Sequence, residues 1–164
     1  MENKTPLRQT TLCFLTKENQ ILLAMKKRGF GMGRWNGVGG KLKPGESVEE
    51  AVIRESQEEI NVKPLTLDFV ADLSFYFPDH PEWNQQVLAY FSNLWEKVPQ
   101  ESDEMRPKWF STQELPFEEM WPDDVFWLPK VIEGQKIKAE FVFGENDKIL
   151  DYSMRELSLL AVEN

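Results

Sequence analysis

The sequence predicts an α/β protein, a mixed β-sheet sandwiched between helices, on three observations. Short apolar runs of strand length recur along the chain. Helical stretches are fewer and lie between them, and no repeat, linker or low-complexity segment interrupts the 164 residues. With 41% apolar residues, eleven Phe and six Trp, the chain has enough material for a real core and is expected to form one domain over residues 1–164.

Each element has its own signal. Residues 10–16 (Thr-Thr-Leu-Cys-Phe-Leu-Thr) predict a buried strand, and Asn19-Gln20 predicts a turn into a second strand, Ile21 to Met25. A glycine-rich stretch follows, with six Gly in the twelve positions from Gly29 to Gly40. Ser47, with Glu50 three residues later, forms a capping box that opens a helix over 48–60, and Asn61 suits its left-handed end. Residues 65–77 and 86–95 predict strands separated by Pro78, Asp79, His80 and Pro81. Lys108 to Ser111 predicts a short strand. Pro122 followed by Asp123 and Asp124 predicts a helix start, and Pro129 is expected to kink or restart that helix. Residues 138–143 and 148–153 predict a hairpin around Gly144-Glu145-Asn146-Asp147.

Composition excludes several function classes. A net charge of −9 argues against binding nucleic-acid polymers or anionic membrane, which need basic patches. It leaves room for a small polyphosphate held through divalent cations. No apolar run is long enough for a membrane span, and Met1 to Gln9 lacks the apolar stretch of a secretory signal. The single Cys13 sits in an apolar run and reads as a small buried side chain. A cytoplasmic monomer is expected.

The most informative segment runs from Gly40 to Val62. Glu55, Glu58 and Glu59 stand at i, i+3 and i+4 near the C-terminal end of the helix, where neither their mutual repulsion nor the helix dipole favours them. The bland interpretation is a solvated acidic face. The alternative is a hard-cation site, because converging carboxylates are what Mg²⁺ requires. Arg54 stands four residues before Glu58, with Glu46 as a further partner for its guanidinium. Gly39-Gly40 leaves the backbone open to a metal or phosphate, and Pro44-Gly45 turns the loop back toward the helix.

Gly40, five residues, Glu46, seven residues, then Arg54-Glu55-Ser56-Gln57-Glu58-Glu59-Ile60-Asn61-Val62 resembles the Nudix box over 40–62. Ser56 departs from the pattern where an aliphatic residue is usual, and Asn61 where Gly is usual. The resemblance implies a Nudix fold in which Glu55, Glu58 and Glu59, with the Gly39 carbonyl, bind Mg²⁺ (or Mn²⁺) and activate water. Glu58 or Glu59 is then the general base, and Arg54 supports the catalytic set.

Beyond the box, the chain resembles the oxidised-purine nucleoside triphosphatases of that family. The resemblance lies in Met25 to Gly31, Gly33 to Lys41, Glu101 to Pro107, Met120 to Asp124 and Ile149 to Tyr152. It implies that Asn36, Asp123 and Asp124 read the purine edge and that Trp121 stacks on the ring, with Phe30 and Phe75 nearby. Thr11 and Lys26 line the nucleoside pocket, Gly39, Gly40 and Lys41 lie along the phosphates, and Glu104 adds a metal contact. Two adjacent acids in an apolar pocket repel, so one keeps its proton near neutral pH and becomes a donor. The expected substrate is an oxidised purine triphosphate such as 8-oxo-dGTP or 2-hydroxy-dATP, cleaved to monophosphate and pyrophosphate.

Rival interpretations are a Nudix hydrolase of another diphosphate (a methylated purine nucleotide, ADP-ribose or a dinucleoside polyphosphate) and a non-catalytic nucleotide-binding module. From Trp121-Pro122-Asp123-Asp124 alone, an aromatic-stapled helix start is as good an account as a base reader. Lys26, Lys27 and Arg28 equally fit a solvated turn. His80 is expected to be exposed, and Trp83, Trp95, Trp109 and Trp127 are expected in packing roles. The Pro78–Gln85 loop is slightly long for the family, with Gln85 where a pocket Met is usual.

Overall fold

In a computed structural model, which describes residues 7–157, alternation along the first two strands assigns the two faces of the sheet. In β1 (Arg8–Lys17) and β2 (Gln20–Lys26), Cys13, Leu15, Leu22 and Ala24 are buried with Val52 and Ile60 of helix α1 (Val48–Ile60). Phe14, Ile21 and Leu23 point the other way and are buried with Trp127, Leu128 and Val131 of helix α2 (Asp124–Ile132). The helices therefore cover opposite faces of one sheet, as the predicted sandwich requires. Burying each large side chain of this kind stabilises the fold by about 1.5–3 kcal/mol.

The remaining strands are β3 (Trp35–Asn36), β4 (Lys63–Pro64), β5 (Asp68–Tyr76), β6 (Gln85–Ser92), β7 (Trp95–Glu96), β8 (Met105–Ser111), β9 (Ile137–Phe143) and β10 (Ile149–Glu156). Eight of the strands form one mixed sheet in the order β10-β9-β5-β6-β1-β2-β3, with β8 on β2, and β4 pairs with β7 in a small separate ribbon. The β1/β6 and β5/β9 pairs are parallel and the others antiparallel.

Several boundaries differ from expectation. The β1–β2 turn lies at Glu18-Asn19, with Glu18 at φ 52°. The stretch 65–77 shortens to β5, with β4 lying just before it, and 86–95 divides into β6 and β7, because the chain leaves the large sheet to form the small ribbon of β4 and β7. Strand β8 begins before Lys108 and takes in Pro107, which an edge strand tolerates because its missing N–H faces no partner. Helix α2 passes through Pro129 without a break. The carbonyl deprived of a donor belongs to Val125, which is exposed and open to water.

Helix α1 follows its sequence signals closely. Ser47 Oγ accepts from Glu50 N–H at 3.1 Å, and the Glu50 carboxylate accepts from Ser47 N–H at 2.9 Å. Asn61 closes the helix in the left-handed conformation, φ 64°.

Strands β1 and β2 stay paired only at their turn, at Thr16↔Ile21 and Lys17↔Gln20. They then diverge, and residues 38–41 enter the gap, bridging Cys13↔Val38 and Thr10↔Lys41. This divergence opens the sheet beside the glycine-rich segment.

Candidate active site

Gly39 joins the sheet to the acidic helix. Val38 exchanges backbone hydrogen bonds with Cys13 (2.7 and 3.0 Å), and Gly40 O accepts from Thr11 N–H at 2.9 Å. Between them, Gly39 N–H donates to Glu59 Oε1 of α1 at 3.0 Å. A Cβ at Gly39 would run into the Thr11 carbonyl oxygen, and one at Gly40 would meet the Glu55 carboxylate. The two glycines thus let the backbone lie against a strand on one side and against carboxylates on the other.

Burial is graded along the acidic face. Glu59 is 6% exposed, whereas the side chains of Glu55 and Glu58 are 14% and 54% exposed. Arg54 organises the cluster. Its Nε and Nη2 grip Glu46 bidentately at 2.7 and 3.0 Å, Nη1 reaches Glu55 at 3.0 Å and Glu58 at 3.3 Å, and Nη2 also donates to Lys41 O at 3.0 Å. The guanidinium holds the Glu46 carboxyl down at about 2.

Burial pushes Glu59 up to about 7, and the charges of Glu55 and Glu104 add to that rise, against the Gly39 N–H and Lys26. Burial also raises Glu55 despite Arg54, with Glu58 and Glu104 contributing. The charge of Glu104 is thus felt by both carboxyls. Among the described residues no three acidic side chains are gathered tightly enough to define a cation site by distance alone. The donor chemistry nonetheless suits a hard divalent cation. It combines a buried carboxylate with further carboxylates that repel it.

A cavity of about 400 Å³ opens beyond Gly39 and Gly40. Its lining includes every residue expected to bind substrate: Thr11, Lys26, Phe30, Asn36, Gly39, Gly40, Lys41, Phe75, Trp121, Asp123 and Asp124. Phe30 stacks on Trp121 with centroids 5.1 Å apart. Asn36 Oδ1 accepts from Gly37 N–H at 2.8 Å, which orients its amide. Asp123 and Asp124 are 3% and 2% exposed. Burial raises both carboxyls, and the neighbouring Asp123 charge adds to the rise at Asp124. Asp123 Oδ2 accepts from the indole N–H of Trp127 at 2.8 Å. Among the described residues Asp124 Oδ2 is buried without a hydrogen-bond partner.

Other wall residues were not anticipated. Trp83, expected in packing, lines the cavity together with Phe77, Phe143, Arg8 and Arg34. Arg34 lies over the Trp121 ring at 4.1 Å and pairs with Asp147 at 3.0 Å. Only the position of Arg34 one residue before Trp35, within the glycine-rich stretch, hinted at this. Gln85, at the unusual pocket position, is also in the wall and accepts from Thr10 Oγ1 at 3.1 Å. His80 is exposed, and Cys13 is buried with its thiol pushed up to about 12 by that burial.

A carboxylate helix set behind an aromatic cavity, with glycines at the junction, is the architecture of a nucleotide-cleaving hydrolase. The NUDIX domain model matches residues 6–131, and the chain belongs to that family of hydrolases. The chain is 42% identical over 147 residues to a Mus musculus protein named oxidized purine nucleoside triphosphate hydrolase, covering 90% of this chain and 94% of that one. It is 38% identical to the Danio rerio protein of the same name at the same coverage. A mutator MutT protein from Bacillus halodurans has the same fold, with TM-score 0.79 and 24% identity over 90% of this chain and 97% of that one. Nudix hydrolases generally use a divalent metal. Among the described residues no helix is long and apolar enough to cross a membrane.

Proposed function

We propose that this chain, as one catalytic domain over 1–164, hydrolyses oxidised purine nucleoside triphosphates such as 8-oxo-dGTP and 2-hydroxy-dATP to the monophosphate and pyrophosphate. The observation that carries this is Asp124 Oδ2, a buried polar atom without a hydrogen-bond partner among the described residues, in the wall of a cavity that also holds aromatic rings. An unmet buried polar group costs stability and therefore suits a ligand that brings the missing hydrogen-bond partner. With Asp123 beside it and the Asn36 amide also in the lining, the wall offers both donors and acceptors to an altered purine edge. Trp121 and Phe30 supply the stacking surface.

Lys26 and Lys41, with Arg8 beside them in the lining, meet the triphosphate. Glu55, Glu58, Glu59, Glu104 and the Gly39 carbonyl are the residues to hold Mg²⁺, or Mn²⁺ in its place. A cation bound there would supply positive charge against the phosphates of the anhydride. Glu59, whose Oε1 is held by the Gly39 N–H, takes a proton from the attacking water, and Arg54 keeps Glu55 and Glu58 in place. The −9 charge and the buried lone cysteine favour a cytoplasmic monomer that acts on free nucleotides.

The test is pyrophosphate release with Mg²⁺ from 8-oxo-dGTP, 2-hydroxy-dATP, dGTP and ADP-ribose, with Glu59→Gln as control. The expected result is a preference for the oxidised nucleotides, with kcat about 10²–10⁴-fold lower in the variant. Equal turnover of all four, or a preference for ADP-ribose, overturns the substrate assignment.

A further inference from the structure

Five rings in the cavity wall form a closed circuit. Trp121 meets Phe143 at 5.9 Å, Phe143 meets Phe77 at 5.1 Å, and Phe77 meets Trp83 at 5.5 Å. Trp83 meets Phe30 at 5.3 Å, and Phe30 returns to Trp121 at 5.1 Å. Phe77 and Phe143 lie within or beside sheet strands, whereas Trp83 is carried by the loop between β5 and β6. That loop is fastened in place. His80 stacks on the Trp83 ring at 4.1 Å and 20°, Trp83 N–H donates to His80 O at 2.9 Å, and Asn84 Oδ1 accepts from Phe77 N–H at 2.7 Å. An indole held this way gives up little freedom when a flat ligand packs against it.

We propose that Trp83 is a specificity-determining residue of this pocket, a second tryptophan that completes the aromatic wall and favours fused bicyclic bases over single-ring ones. Stacking grows with shared flat area, so an indole gains more from a purine than from a pyrimidine. His80 is its positioning residue, acting through the ring stack rather than touching the base. The proposal rests on the base-binding assignment of the cavity, and the experiment separates the two.

Steady-state kinetics on dGTP and dCTP, with calorimetric binding of dGMP and dCMP in the absence of metal, are compared for wild type, Trp83→Ala, Trp83→Phe and His80→Ala. Trp83→Ala is expected to raise KM for dGTP and Kd for dGMP about tenfold, with the loss in KM rather than kcat. The purine preference over pyrimidine should shrink accordingly. Trp83→Phe should recover most of it, and His80→Ala should show a smaller change of the same kind. An unchanged purine-to-pyrimidine ratio in Trp83→Ala, or a fall in kcat with KM unchanged, overturns the proposal. If Trp83→Ala does not fold, Trp83→Leu, which keeps apolar bulk but has no flat face, takes its place with the same expected and overturning outcomes. Failure to turn over any triphosphate would count against the hydrolase assignment, while dGMP and dCMP binding would still decide the role of Trp83.

Discussion

The indole N–H of Trp127 donates to Asp123 Oδ2 at 2.8 Å, one turn along α2, with both residues buried. Asp123 stands at the N-terminal boundary of the helix yet caps nothing with its side chain. Its carboxylate is committed instead to a core tryptophan, which aims it along the cavity wall. Trp127→Phe keeps the ring's bulk and removes the donor, leaving a buried acceptor unmet. We expect a loss of about 1–3 kcal/mol, or about 2–4 °C in Tm per kcal/mol, together with a higher KM for the purine nucleotide. Thermal melts and steady-state kinetics check this, and an unchanged Tm would mean that the bond contributes nothing to the fold.

The two glycines at the junction should respond differently to a methyl group. At Gly39 the obstacle is the Thr11 backbone carbonyl, which cannot swing aside, so Gly39→Ala should destabilise the protein by at least about 1–3 kcal/mol. At Gly40 the obstacle is the end of the Glu55 side chain, which can turn away but then leaves its place. Gly40→Ala should therefore keep its Tm and lose activity, about 10²-fold for a displacement of an ångström. Denaturant melts beside pyrophosphate assays distinguish the two. Equal stability of both variants would contradict the packing at Thr11.

The Glu46–Arg54 pair predicts a pH dependence with a definite sign. The folded carboxyl is held at about 2 against an ordinary 4.5. Its stabilising contribution is therefore complete above 4.5 and disappears as pH falls from there toward 2. Glu46→Gln should melt below wild type at neutral pH, and the gap should close over that interval. Paired thermal melts across the acid range measure it. A gap that stays constant would assign the difference to shape rather than charge.

Arg34 links the glycine-rich loop to the β9–β10 turn through Asp147 and covers Trp121 at 4.1 Å. Replacing it by Met removes the cation but retains a flexible apolar stem. A cation–π contact of about 0.5–1 kcal/mol corresponds to a rise in KM of about two- to fivefold. Asp147→Asn should give a smaller change in the same direction. Kinetics and tryptophan fluorescence of the two variants report on this contact, and unchanged KM in both would make the contact incidental.

Helix α1 was legible almost to the residue because its determinants are local. The Ser47–Glu50 capping box, the Asn61 terminus and the Arg54 pairings act within one or two turns or across a single short loop. The eleven residues that the resemblance assigns to substrate were legible only through it, and all of them line the cavity. Trp83 was not, because a lone tryptophan in a Pro-rich loop looks the same whether it packs on the surface or faces a ligand. Trp127 was read correctly as a core residue, but its bond to Asp123 required the helix start to be placed.

Strand boundaries failed where pairing is non-local. Nothing inside residues 86–95 signals that Trp95 leaves the large sheet to pair with Pro64. Nor does the β1–β2 hairpin signal show that the strands part after two residue pairs.

By itself the sequence determined the mixed α/β class, the metal-competent acidic helix and the kind of chemistry it supports, since these depend on spacing along the chain. Only the tertiary structure decided that β1 and β2 diverge to admit residues 38–41, that Glu59 and the Asp123–Asp124 pair are buried, and that five distant rings close into one wall. The physical reason is that burial, and the proton affinity that follows from it, depends on what the rest of the chain packs against a group.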